Sequence, residues 1–208
     1  MSLRLKRGPL ARRFEILAQL RVLLRAEVVP ERMLRSVAVM LAQYFDFCVA
    51  DIVDARGELR RVEIAHADPG RRERLRVLAD ETRHPPDSRV AILLTRGGSE
   101  HIARVSRATR ARLLGDLVLL GEPIASEMAV TLVLNGAPMA VLTLLSTSPR
   151  HIITGDDLVF MKGAAEWIAL GLENATRSQV GRRASVVPAA RALKRPVQRS
   201  GRGAHVRA

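Results

Sequence analysis

The longest stretch without a charged side chain runs from Met128 to Pro149. It is long enough to cross a bilayer as a helix, for which about 20 apolar residues suffice. Asn135-Gly136 and Pro138 interrupt it. Asn-Gly is the pair that most readily adopts the two positive φ angles of a tight hairpin turn. The run therefore predicts two antiparallel strands, 127–134 and 139–146, and no spanning segment. Near the N-terminus, Arg12-Arg13-Phe14 looks superficially like a twin-arginine export signal, but Glu15, Gln19, Arg21 and Arg25 follow. No apolar region is left to export, and a cytoplasmic protein without membrane contact is expected.

Apolar residues on either side of this hairpin fall on other periods. Leu10, Phe14, Leu17 and Leu24 form one helical stripe, with Ile16, Leu20 and Leu23 beside it. Pro30 suits the first position of a second helix, where its missing N–H would go unpaired anyway. Leu34, Val37, Met40 and Leu41 should face inward from that helix. Phe47 to Val53 is almost continuously apolar, as in a strand covered on both faces. A turn at Asp54-Ala55-Arg56-Gly57 precedes a returning strand from Leu59 to Ala67, with alternation at Val62, Ile64 and His66. A charged helix from Arg71 to Arg83 ends at His84-Pro85-Pro86-Asp87. Residues 84–125 are not ordered by any clear period, and Gly97-Gly98 reads as a mobile loop. Thr154 and Asp157 form a capping box that opens a long last helix. The fold class is α+β, an antiparallel sheet flanked by N- and C-terminal helices.

The chain has 208 residues, 48% apolar and 26% charged, which suits one soluble globular domain. Its net charge of +13 is unevenly placed. Residues 1–13 carry five Lys/Arg and residues 177–208 carry nine, with no acid in either segment. The body between them is close to neutral, so its partners cannot be inferred from the overall charge. The expected divisions are a basic N-terminus with an amphipathic helix (1–29), the domain proper (30–176) and a disordered basic tail (177–208). Aromatic residues are only 3% of the chain, which argues against a stacking platform for single-stranded nucleic acid. The single cysteine, Cys48, excludes an intramolecular disulfide, a cysteine zinc cluster and an iron–sulfur site.

Three stretches resemble the GAF domain, a small ligand-binding and signalling module. Tyr44 to Asp54 followed by Gly57 is similar to the family's first strand and turn. Ser126 to Ser146, with Asn135-Gly136 and Ala140-Val141-Leu142-Thr143-Leu144, is similar to its hairpin. Arg150 to Leu158 resembles the start of its last helix. The resemblance covers about residues 30–176 and implies a GAF/PAS-like sheet, a ligand cavity on one of its faces and helical dimerisation. Thr131 stands where the family often has proline, and Ala140 where it often has glycine. The asparagine–lysine–phenylalanine–aspartate–glutamate signature of cyclic-nucleotide binders is absent. Cys48 lies inside a strand, unlike a bilin-attaching cysteine, and the several cysteines of free-methionine-sulfoxide reductases are missing.

Asp51 is the most informative single residue. A carboxylate in a covered strand needs hydrogen bonds or a partner charge. It is expected either to pair with an arginine or backbone amides, or to face the cavity that the resemblance implies. With Val49, Ser126, Thr131 and Thr143 it makes up the candidate ligand-binding set. Cys48, on the other face of the strand, should pack as a small hydrophobe. The five histidines show no metal-ligand spacing, and no cofactor is expected. Neither a nucleophile–base arrangement nor a phosphate-binding glycine loop is present, which argues against an enzyme.

The last helix carries a heptad seam, Leu158, Met161, Ala165, Ile168 and Leu172, with Phe160, Ala164, Trp167 and Gly171 beside it. Two stripes exceed what one sheet requires. The seam is expected to form a homodimer interface, the alternative being a pairing of the first and last helices within one chain. The reading is a non-catalytic regulatory domain in signal transduction that senses a small ligand or binds a partner protein as a dimer. With no room after residue 176 for a kinase or cyclase, its signal is expected to pass by contact. The alternative is a nucleic-acid-associated regulator that binds through its basic tails.

Overall fold

A computed structural model describes residues 8–54, 56–81, 84–106 and 123–192. In chain order the elements are α1 (Pro9–Ala26), α2 (Pro30–Leu41), β1 (Phe47–Val53), β2 (Leu59–His66), α3 (Pro69–Glu81), α4 (Arg89–Arg96), β3 (Ser99–Ile102), β4 (Ser126–Leu134), β5 (Ala137–Ser146) and α5 (Gly155–Ala192). The five strands form one antiparallel sheet in the order β2-β1-β5-β4-β3. This is the α+β architecture expected from the sequence.

Local chemistry sets the element boundaries. Asn135 and Gly136 have φ of 51° and 78°, the paired positive values of a two-residue hairpin turn. Pro9 and Pro30 begin α1 and α2. Thr154 and Asp157 close their box: the Thr154 N–H donates to Asp157 Oδ2 at 3.0 Å, and the Asp157 N–H donates to Thr154 Oγ1 at 3.2 Å. Residues 84–106, which showed no clear period, contain α4 and β3. Gly97 is no mobile loop residue. It caps α4 in the left-handed conformation, with φ of 60°, and its N–H returns to the helix carbonyls. Thr109 to Leu120, also part of that section, lies outside the described residues.

The main core lies between one sheet face and α1, α2 and α5. It includes Leu34, Val37 and Leu41 of α2, Cys48 and Ala50 of β1, and Leu142 and Leu144 of β5. The predicted dimer seam belongs to this core. Met161, Ala165, Ile168 and Leu172 are buried against the protein's own sheet, and Leu158 packs at the margin. Those residues are therefore not free to form an interface between copies. From the second stripe of α5, Phe160 and Gly171 meet α1. A Cβ placed on Gly171 would lie 2.9 Å from Leu24 Cδ2 and 3.2 Å from Met33 Sδ, so glycine permits this close approach. Arg13 stacks over the Phe160 ring at 5.8 Å and lies 3.6 Å from Asp157. Helices α1 and α5 thus run side by side in the same direction. Their outer faces keep Leu10, Phe14, Val159, Trp167 and Leu170 exposed.

At its C-terminal end α5 continues past Arg177 to Ala192. Alanine and arginine are strong helix formers, and 184–192 contains five of them. Residues 193–208 lie outside the described part.

Candidate functional site

Strand parity divides the sequence-predicted site residues between the two sheet faces. Val49 lies opposite Thr143, Thr143 opposite Ala129, and both Asp51 and Thr131 lie opposite Val141. Directly opposed residues in a ladder share a face. Val49, Asp51, Thr131 and Thr143 are therefore together on the face turned away from α1, α2 and α5. Above it lie Leu75 and Ala79 of α3 and Val90 of α4. Ser126 is on the other side. It pairs with Ser146 and precedes Met128 by two residues, and its Oγ accepts the Ile153 N–H at 2.9 Å. Its hydroxyl ties β4 to the approach to α5, which corrects its place in the candidate set.

Asp51 is fully buried and paired. Arg61 Nε donates to Asp51 Oδ1 at 3.0 Å, and His84 Nε2 donates to the same oxygen at 2.8 Å. The three side chains are 0–2% exposed. Arg61 reaches Asp51 through a β-bulge. Ala50 pairs with Glu63 but Asp51 pairs with Arg61, which leaves Val62 as the extra residue on β2. The bulge also breaks the predicted alternation. Ile64 and His66 stay on the face of Val49 and Phe47, whereas Val62 joins the opposite core. Glu63 turns to the helix side as well, 3.7 Å from Arg35 of α2. His84 is further held by its N–H, which donates to the Leu59 carbonyl at 3.2 Å.

Two polar atoms of this cluster, Asp51 Oδ2 and His84 Nδ1, are enclosed without a hydrogen-bond partner among the described residues. Buried polar atoms are nearly always satisfied by protein, water or ligand. Sequence reasoning reached Asp51 but missed both Arg61 and His84. Alternation put Arg61 on the wrong face. The Pro85-Pro86 pair after His84 suggested a helix stop and nothing more.

Farther along the same face, Arg89 at the start of α4 bridges Glu127 of β4 and Glu100 of β3, the latter at 2.8 Å. Thr131 Oγ1 donates to the Leu93 carbonyl of α4 at 3.3 Å. These bonds seat α4 on the sheet and occupy the Thr131 hydroxyl. The histidines are held apart. His101 Nε2 donates to the Ile153 carbonyl at 2.9 Å, and His66 packs edge-on against Phe47 with ring centroids 4.5 Å apart. Burial and the neighbouring Arg71 charge hold His66 below the usual histidine range. No group of three His, Cys, Asp or Glu among the described residues is placed to hold a metal. Cys48 lies in the helix-side core, where burial pushes its thiol well up.

No family model and no curated protein matches the sequence. Solved structures do match the fold. A GAF domain from a phosphoenolpyruvate-protein phosphotransferase of Coxiella burnetii superposes with a TM-score of 0.63 at 17% identity, covering 83% of this chain and 99% of its own. The chain has a GAF fold. Among other GAF-fold neighbours, free methionine-R-sulfoxide reductase from Neisseria meningitidis, solved with its substrate, gives a TM-score of 0.61 at 18% identity. It covers 85% of this chain and 98% of its own. The phycoerythrobilin-bound GAF domain of a cyanobacterial phytochrome gives 0.59 at 12% identity, covering 80% and 97%. In this GAF-fold domain the Asp51–Arg61–His84 cluster joins β1 and β2 of the sheet to the segment between α3 and α4.

Proposed function

We propose that this GAF domain is a non-catalytic regulatory module of signal transduction that holds a small molecule, or a partner's side chain, on the sheet face of Asp51. The observation that carries this reading is the enclosed Asp51–Arg61–His84 cluster with its two unpartnered atoms. Donors of a bound molecule would complete the hydrogen bonding of this cluster. Two of the fold neighbours hold a small molecule, a substrate in one and phycoerythrobilin in the other. Thiol chemistry is a poor fit here, because Cys48 is buried, raised in pKa and on the opposite sheet face.

The domain acts as a homodimer. Its interface is the outer surface of α1 and α5, not the buried heptad seam. Phe14 and Leu10 from α1, with Trp167, Leu170 and Val159 from α5, supply the apolar side chains. A second reading is supported by charge alone: the nine Lys/Arg and no acid of 177–208 favour non-specific attachment to nucleic acid.

Native mass spectrometry of the purified protein tests the main reading. A dimer mass carrying an extra small-molecule mass, lost on mild activation, is the expected result. A bare monomer that binds no compound in a metabolite screen would overturn it.

A further inference from the structure

We propose that the outer edge of β3 docks an extended segment of a partner protein, which adds as a further antiparallel strand and carries small aliphatic and acidic side chains in alternation. This edge lies away from the Asp51 cluster, and its test is independent of that site.

Hydrogen-bond parity defines what the edge offers. β3 stands at the end of the sheet, beyond β4. The Thr131 N–H donates to the Gly98 carbonyl at 3.1 Å, and Ser99 lies opposite Val130. In an antiparallel ladder, bonded and non-bonded pairs alternate. Gly98, Glu100 and Ile102 therefore turn their backbone groups toward β4, whereas Ser99 and His101 turn theirs outward. No strand among the described residues meets them there. A row of such open donors and acceptors is a template for another strand.

Both sides of this edge are hollow, and the two hollows differ. On the α4 side a cleft of about 610 Å3 is lined by Ile92, Arg96 and Glu100. On the α5 side a smaller one of about 210 Å3 has apolar walls of Val130, Val133 and Ala165. Gly98 and Ser99 border both. An added strand sends alternate side chains to the two sides, so main-chain bonds hold it and the clefts select its sequence. Ser99 shares the helix-side face of Val130. The residue opposite Ser99 consequently enters the smaller cleft, which suits a small aliphatic side chain. Its neighbours fall on the α4 side. There Arg89 is spent on Glu100 and Glu127, but Arg96 is exposed and has no charged partner among the described residues. Asp87 lies at the opposite end of α4, before its first turn. An acidic side chain therefore complements the Arg96 end, where Gly98 and Ser99 follow directly.

The probe is a capped peptide, Thr-Glu-Val-Glu-Val-Thr, titrated into full-length 15N-labelled protein. Saturable binding is expected, with hydrogen exchange slowed at the Ser99 and His101 amides. N-methylation of both valines removes the N–H groups that face β3 and should abolish binding. N-methylation of both glutamates, whose N–H groups face outward, should leave it. The three peptides carry equal charge, so general attraction to a chain of net charge +13 cannot produce this difference. Arg96→Glu should weaken the acidic peptide about fivefold and favour Thr-Lys-Val-Lys-Val-Thr by a similar factor. Equal binding of all three acidic peptides overturns the proposal, as does loss of binding on methylating the glutamates. Unchanged affinities in Arg96→Glu overturn it too. So do Ser99 and His101 amides that are protected before any peptide is added, whether by a second copy or by the protein's own chain. A wild type that binds none of the peptides removes this docking site and leaves the small-molecule reading, which native mass spectrometry tests, untouched.

Discussion

Arg61 Nε sits 3.0 Å from Asp51 Oδ1 across the β1–β2 ladder, and it does so only because β2 holds one residue more than β1 at that point. Arg61 and Ile64 are three positions apart, yet both lie on the face of Val49 and Asp51. In a regular strand that spacing would put them on opposite sides. The bulge at Val62 thus supplies the charge that lets a carboxylate be enclosed in the sheet.

Removing either partner should therefore cost far more than removing both. Arg61→Met is expected to lower stability by about 3–5 kcal/mol, because Asp51 is left charged and enclosed. In Asp51→Leu/Arg61→Met most of that loss should be recovered. Urea or guanidinium denaturation of the wild type, Arg61→Met, Asp51→Leu and the double variant measures it. Additive losses in the double variant would show that the pair carries no coupling.

Asp46 predicts a specific acid response. Burial alone would raise its pKa. The Thr147 N–H at 2.7 Å and the Thr147 and Ser146 hydroxyls at 3.0 and 3.1 Å all donate to Oδ2, and with His151 nearby they hold it below the ordinary 3.8. As pH falls, the unfolded chain takes up the proton first. The stabilisation is complete above the ordinary value and is lost as pH passes through the folded one. Asp46→Asn should be less stable than wild type by about 2 kcal/mol at neutral pH, with the gap closing in strong acid. Thermal unfolding across pH checks this, and a gap independent of pH would refute it.

The two faces of α5 should respond oppositely to charge. Ile168→Glu places a carboxylate in the core and should unfold the domain, costing more than about 4 kcal/mol. Trp167→Glu and Leu170→Glu lie on the exposed outer face and should leave the fold intact while converting a dimer to a monomer in sedimentation. A dimer that persists in both would place the interface elsewhere.

Deleting 181–208 removes eight of the 34 Lys/Arg and no acid, lowering the net charge from +13 to +5. If the segment binds duplex through about six phosphates, log affinity should fall against log salt with a slope near −5, largely without regard to sequence. Titrating full-length and shortened protein against random duplex at two salt concentrations decides this. Equal affinity for both proteins rules out the attachment.

Much of the fold was legible because its signals are local. Asn135-Gly136, Pro30 and the Thr154–Asp157 box each act within a few residues, so sequence alone determined where those elements turn or begin. Periodicity also marked which residues of α2 and α5 are apolar enough to be buried. It could not say what each stripe would meet. A heptad seam facing a sheet and one facing a second copy have the same spacing, and only the tertiary structure assigned Ile168 to the first. The site divides along the same line. Asp51 stood out as a charge inside an apolar strand, but its partners come from ten and thirty-three residues away. A single bulge residue reverses strand parity downstream of it without disturbing composition. Arg61 was therefore hidden, and the sequence could not show that Ser126 lies on the other sheet face from Asp51.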